Sequence, residues 1–235
     1  MDASLLTSLN AARRGRRACI LVTDITGGQD RLVIEGDVVP GAMGAEIEAR
    51  FRSGKSGVYE ANGVTFFLNV HVPPPRIVAI GAVHITQALQ AMAPVAGFDL
   101  RIIDPRTAFA TPERFAGADL VAEWPEDALK DRPLDPYTAL VAVTHDPKID
   151  DFPLAAALKA DCFYVGALGS RKTHAKRVER LIEAGLSEAQ IARVSAPIGL
   201  DIGASTPAEI AVSVLADIIQ ALRRRPVMEI PGVEA

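Results

Sequence analysis

Cysteine is scarce in this chain, with only Cys19 and Cys162 among 235 residues. Two thiols cannot build a disulfide scaffold or a zinc ribbon. A basic surplus is also missing: the formal net charge is -4, whereas a generic nucleic-acid binder carries an excess of Lys and Arg. No apolar run approaches the roughly 18 residues that would span a membrane. The histidines His71, His84, His145 and His174 are scattered, and no pair has H-x-x-x-H spacing, so no metal site is expected. There is no G-x-S-x-G nucleophile elbow, no internal repeat and no low-complexity tract. Arg13, Arg14, Arg16 and Arg17 precede an apolar run at 18–22 that is shorter than the about 7–15 residues of a signal-peptide core. The expectation is a reducing cytoplasmic location with both thiols free.

What is present is ordinary globular composition, 49% hydrophobic and 23% charged. The length suits one large domain or two small ones. Pro73, Pro74 and Pro75 mark the boundary, because proline lacks the N–H that a strand or helix interior needs. The expected division is a small α+β domain at 1–72, a second domain at 76–225 and a tail at 226–235.

In the first domain, SLLTSLNAARR has helical spacing, and ACILVTDI and RLVIEG read as strands. GAEIEARF reads as a short helix. GVYEA and VTFFLNVHV flank Asn62-Gly63, a strong hairpin signal. After the prolines, apolar strands at 76–80, 100–103, 139–143 and 163–165 alternate with helical stretches at 84–95, 147–159, 171–183 and 207–224. Such alternation implies α/β architecture: a Rossmann-like parallel sheet with helices on both faces. Ligands bind such sheets at the carboxyl ends of the strands.

Five polar or glycine-containing clusters fall at those ends. Gly81-Ala-Val83-His84 sits where a dinucleotide fingerprint would begin, but Val83 occupies the position of its second glycine. A plain strand-to-helix turn is the alternative. Asp104-Pro105-Arg106 could bond a ribose hydroxyl or simply form a turn. In Thr144-His145-Asp146-Pro147, Asp146 could cap a helix while His145 serves as proton donor or ligand. Gly166-Ala-Leu-Gly169-Ser170-Arg171-Lys172 places two cations at a helix start, where they oppose the helix dipole. A bound phosphate would account for them. Finally, residues 195–206, with Gly199 and Gly203, form a long loop before the last helix. Glu209 falls in that helix's first turn. Cys19 and Cys162 read as small buried hydrophobes.

Together PPPRIVAIGAVHI, IIDPR, VTHDPKID, YVGALGSRKTH and APIGLDIGASTPAEIAVSVLADI resemble the XdhC/CoxI family, the xanthine dehydrogenase accessory factors. The resemblance covers about two thirds of the chain. It implies a small N-terminal domain followed by a Rossmann domain. It also implies a chaperone that binds the molybdenum cofactor (molybdopterin), protects it during sulfuration by a cysteine desulfurase, and delivers it to a xanthine dehydrogenase or aldehyde oxidase-type hydroxylase. Gly81, His84, Asp104, Arg106, His145, Asp146, Gly166, Gly169, Ser170, Arg171, Lys172, Gly199, Gly203 and Glu209 are the implied cofactor-binding residues. The chain departs from the family at Val83, where a glycine is usual, and at 26–31 and 41–46, so it reads as a divergent member with a shortened first domain. An NAD(P)-dependent Rossmann oxidoreductase is the alternative. A homodimer is expected, because the first domain is small for an independent core.

Overall fold

The computed structural model describes residues 2–224. The expected tail at 226–235 lies outside them. The chain divides into two compact units, one ending at Pro73 and the other spanning Pro74–Arg223.

The first unit contains α1 (Ala3–Arg14), β1 (Cys19–Asp24), β2 (Asp30–Ile34), α2 (Gly41–Ser53), β3 (Gly57–Ala61) and β4 (Val64–His71). Its sheet is antiparallel, in the order β2-β1-β4-β3. Asn62 and Gly63 both adopt positive φ, 51° and 75°. That is the backbone twist a two-residue hairpin needs, and it sets the pairing of Ala61 with Val64. Leu9 and Ala12 of α1 cover Cys19. Burial raises the Cys19 thiol pKa, so this cysteine behaves as a small apolar side chain.

The second unit contains β5 (Arg76–Ile80), α3 (His84–Met92), β6 (Asp99–Ile103), β7 (Asp119–Val121), α4 (Pro125–Asp131) and β8 (Thr138–Ala142). It continues with α5 (Pro147–Lys159), β9 (Tyr164–Ala167), α6 (Arg171–Glu183), α7 (Glu188–Ile191), β10 (Val194–Ser195) and α8 (Pro207–Arg224). The sheet is parallel throughout, in the order β10-β9-β8-β5-β6-β7. The chain starts at the centre, builds outward to β7, then returns to β8 beside β5. This is the Rossmann order, and its switch point lies between β5 and β8.

Both faces are covered, which is why the central strands are apolar at nearly every position. Ile77 and Ala79 of β5 face α3 and α8, packing with Leu89, Val214 and Ile218. Val78 and Ile80 face the opposite layer, where Leu154 and Leu158 of α5 and Leu181 of α6 close the core. At the amino end of the sheet, buried Arg76 ties β5 to the approach to β8. Its Nε donates to Thr138 Oγ1 at 2.9 Å, and its Nη2 donates to Asp135 and the Pro133 carbonyl.

Five elements of the second unit differ from the sequence expectation: α3 ends early, and β7, α4, α7 and β10 are additional to it. Helix α3 stops at Met92: Ala93 keeps helical backbone, φ -58° and ψ -46°, but Pro94 has no N–H to carry the hydrogen-bond ladder on. Strand β7, helix α7 and strand β10 are too short, at 3, 4 and 2 residues, to show periodicity.

Candidate functional site

The turn after β5 is built around a close approach. Gly81 has φ 122°, and a Cβ there would lie 3.0 Å from Thr144 Cγ2 and 3.2 Å from Val143 Cγ2. The missing side chain lets the turns after β5 and β8 meet at the switch point. Val83 cannot cap α3, so the Thr86 hydroxyl accepts the Val83 N–H at 2.9 Å instead. His84 begins the helix and is exposed.

Asp104, fully buried at the end of β6, braces that turn. Its Oδ2 accepts from the Ala82 N–H at 2.7 Å and from Arg106 Nη2 at 2.8 Å. Its Oδ1 accepts from the Arg106 amide and Nε, both at 2.9 Å. Burial alone would raise this carboxyl's pKa, but the bonds from Arg106 and Ala82 outweigh it and hold it below the ordinary range. Both oxygens are therefore occupied, and neither is turned to a ribose hydroxyl. Arg106 also stacks on Phe109, 4.5 Å from the ring centroid.

The turn after β8 places His145 in a left-handed conformation, φ 65°, with its ring exposed. Left-handed backbone at a non-glycine residue is sparsely populated and requires support. Thr144 supplies it: its hydroxyl accepts the Asp146 N–H at 3.0 Å and donates to Asp150 Oδ1 at 2.8 Å. Asp146 caps α5 by accepting from the Lys148 N–H at 3.0 Å. Asp150 is only 2% exposed, and its Oδ2 has no partner. Burial pushes its pKa up to about 6, partly countered by the Thr144 hydroxyl and by Arg177.

After β9, Gly169 has φ 134° and leads into α6. Ser170 caps the helix by accepting the Thr173 N–H at 3.2 Å, leaving the Arg171 and Lys172 amides without intrahelical acceptors. The Arg171 and Lys172 side chains are exposed. Beneath them Arg177 is 2% exposed, and its Nη2 donates to the Leu168 carbonyl at 2.9 Å.

Two of the expected glycines serve close packing. A Cβ at Gly166, inside β9, would lie 2.7 Å from Tyr164 and Ile198. A Cβ at Gly199 would lie 3.0 Å from the Ser213 backbone carbon and the Val214 nitrogen on α8. Gly203, by contrast, stands in open space with φ 73°. Glu209 accepts from the Ser205 and Thr206 amides at 2.8 and 2.9 Å, while its own N–H donates to Thr206 Oγ1. This capping box holds the carboxyl pKa down to about 2, chiefly through the Ser205 amide, and fixes the loop to α8.

The expected residues thus gather at the carboxyl edge of the sheet, apart from Gly166 within β9. Arg106 feels the negative charge of Asp150 and Asp146, and Asp150 feels the positive charge of Arg177. Among the described residues no group of three or more His, Cys, Asp and Glu could hold a metal ion. No described helix is long and apolar enough to cross a membrane. Cys162, buried just before β9, has its thiol pKa pushed up to about 12 by burial, which makes it a poor nucleophile.

Sequence reading did not single out Asp150 or Arg177. Their signal was a charge on an apolar stripe. Asp150 lies between Ile149 and Pro153-Leu154, and Arg177 lies one turn before Leu181. Arg177 was hidden within the basic run of α6.

Comparison with known proteins places residues 77–218 in the XdhC Rossmann domain model. YqeB of Escherichia coli (strain K12) is 34% identical over 165 residues, 69% of this chain and 30% of that protein. A probable xanthine dehydrogenase subunit from Bacillus subtilis (strain 168) is 35% identical over 153 residues, 65% of this chain and 44% of that one. The molybdenum cofactor insertion chaperone PaoD of Escherichia coli (strain K12) is 30% identical over 146 residues, 62% of this chain and 40% of PaoD. The matched segments span less than half the length of each relative. A solved structure of a xanthine dehydrogenase from Bacillus halodurans superposes with TM-score 0.61 and 23% identity, over 98% of this chain and 68% of that one. At that identity the likeness concerns the fold.

Proposed function

The chain belongs to the XdhC family, and from that premise we propose that it binds the molybdenum cofactor and delivers it to a xanthine dehydrogenase or aldehyde oxidase-type hydroxylase. The observation that carries the proposal is a cationic glycine loop, residues 169–172, at the carboxyl edge of the same domain that matches PaoD. The cofactor is cargo. Its phosphate calls for helix amides and cations, which Arg171 and Lys172 offer. Its planar pterin presents hydrogen-bonding edges, which the open loop around Gly203 and the exposed His84 and His145 rings can meet. Asp104, Asp146 and Glu209 act one step back, holding the three turns in place.

A cysteine desulfurase that sulfurates the bound cofactor, a homodimer and a cytoplasmic setting complete this reading. The NAD(P)-dependent alternative has less support. Val83 keeps a branched side chain where a pyrophosphate needs glycine, and Asp104 has no free oxygen for a ribose.

Retention of the cofactor tests the proposal. After anaerobic loading and gel filtration, molybdenum and oxidised pterin are expected near one per chain. Arg171→Ala with Lys172→Ala removes two charge-assisted contacts and should weaken retention about ten-fold without unfolding the protein. Equal retention by the double variant would discard the loop as the phosphate site. No retention by the unsubstituted chain would discard the chaperone reading.

A further inference from the structure

Unpaired polar atoms are concentrated on the neighbouring helices α5 and α6. Of eight buried side-chain nitrogens and oxygens without partners among the described residues, four belong to Asp150, His174 and Arg177. Buried polar groups in native proteins are nearly always paired, so a cluster of exceptions marks a place for something else to bind. Arg177 is the central member. Its Nη2 is held by Leu168, while its Nε and Nη1 donate to nothing. Asp150 exerts the strongest opposite charge on it without forming an ion pair with it.

The guanidinium lies directly beneath the loop. Nη2 of Arg177 stands 3.8 Å from the point where a Cβ on Gly169 would sit, and that same Cβ would press to 3.2 Å against Thr173 Cγ2. A side chain at 169 would therefore crowd both the first turn of α6 and the buried guanidinium. The Arg171 and Lys172 amides open the same turn of α6 and have no intrahelical acceptors.

We propose that residues 169–172 and Arg177 together form a subsite for a phosphate group, with Asp150 as a buried negative charge that opposes the anion. The inference rests on the reading of this loop as the ligand site, and it assigns its specificity to a buried residue. The exposed Arg171 and Lys172 attract any anion. The guanidinium offers a planar fork of donors that matches two oxygens of one oxyanion, which selects phosphate over a halide.

The full chain is titrated with inorganic phosphate at pH 8 and followed by calorimetry and by 31P line broadening. Saturable binding is expected. Arg177→Met should weaken it at least ten-fold, and Gly169→Ala should weaken it as well. Asp150→Asn keeps an acceptor for Thr144 but removes the negative charge, so it should tighten phosphate binding roughly five-fold. That gain runs opposite to any loss caused by misfolding, so the test stands even where Arg177→Met fails to fold. Phenyl phosphate separates the end group of a larger ligand from the free ion: binding equal to or tighter than phosphate is expected.

Absence of saturable phosphate binding overturns the subsite. So does unchanged or weaker binding in Asp150→Asn, or exclusion of phenyl phosphate. Phosphate behaving as expected while molybdopterin is not retained would leave the subsite standing and remove the chaperone reading. Retained molybdopterin with phosphate binding indifferent to Asp150 would do the reverse.

Discussion

Asp104→Ala is expected to destabilise the second unit by about 3 kcal/mol, lowering its thermal midpoint by about 6–12 °C. The carboxylate is fully buried and accepts four hydrogen bonds, from the Ala82 amide and from the amide, Nε and Nη2 of Arg106. Alanine strands the Ala82 N–H away from water and leaves Arg106 without its counter-ion. Removing one partner of a buried charge pair costs about 3–5 kcal/mol. The lower end applies because the Arg106 side chain is 30% exposed and can be partly rehydrated. Asp104→Asn should be milder, since an amide oxygen can still accept from Ala82. A chemical denaturation series measures both, and a loss below about 1 kcal/mol in the alanine variant would mean that the turn after β5 does not depend on this brace. The depressed pKa adds a direction: this contribution is present at neutral pH and is lost as pH falls through the folded-state value.

Asp150 produces the opposite pH dependence. Burial raises its carboxyl from 3.8 to about 6, so the folded chain keeps the proton that the unfolded chain has already released. Stability from this group is highest below the unfolded value, falls as pH rises toward 6, and is constant above. A rise of that size corresponds to on the order of 3 kcal/mol. The facing groups are Thr144, Arg177 and the neighbouring Asp151, with Arg106 across the switch point. Subtracting the unfolding free energy of Asp150→Asn from that of the unsubstituted chain cancels the other titrations. The difference should decline by that amount between about pH 3.5 and pH 7. A flat difference would show that Asp150 is as well hydrated as an ordinary carboxyl.

Helices α5, α6 and α8 begin where the sequence places them because each start carries a cap: Asp146-Pro147, Ser170 and Thr206-Pro207. The central strands were legible from their unbroken apolar runs. Strand β7 and strand β10 were not, since pairing with a neighbour rather than local pattern defines them. At the site, the loops were legible from composition, but their division of labour was not. Gly166 and Gly199 look like ligand glycines in sequence, while in space their missing side chains admit Tyr164, Ile198 and helix α8. Glu209 and Asp104 look like free carboxylates, while in space they are engaged by backbone amides. Asp150 and Arg177 required the third dimension, because only burial separates them from the charges beside them.

The strand order also sets a timetable for synthesis. Strand β5 pairs on one side with β6, which follows soon after it. On the other side it pairs with β8, and the Arg76–Thr138 bond that opens this pairing spans 62 residues. At about 5–20 residues per second on the ribosome, that edge of the central strand waits roughly 3–12 s for its neighbour. During that interval a largely apolar strand presents free backbone donors and acceptors to any passing chain. Lengthening the segment between β6 and β8 would extend that exposure and should lower the yield of soluble protein while leaving the stability of the finished fold almost unchanged.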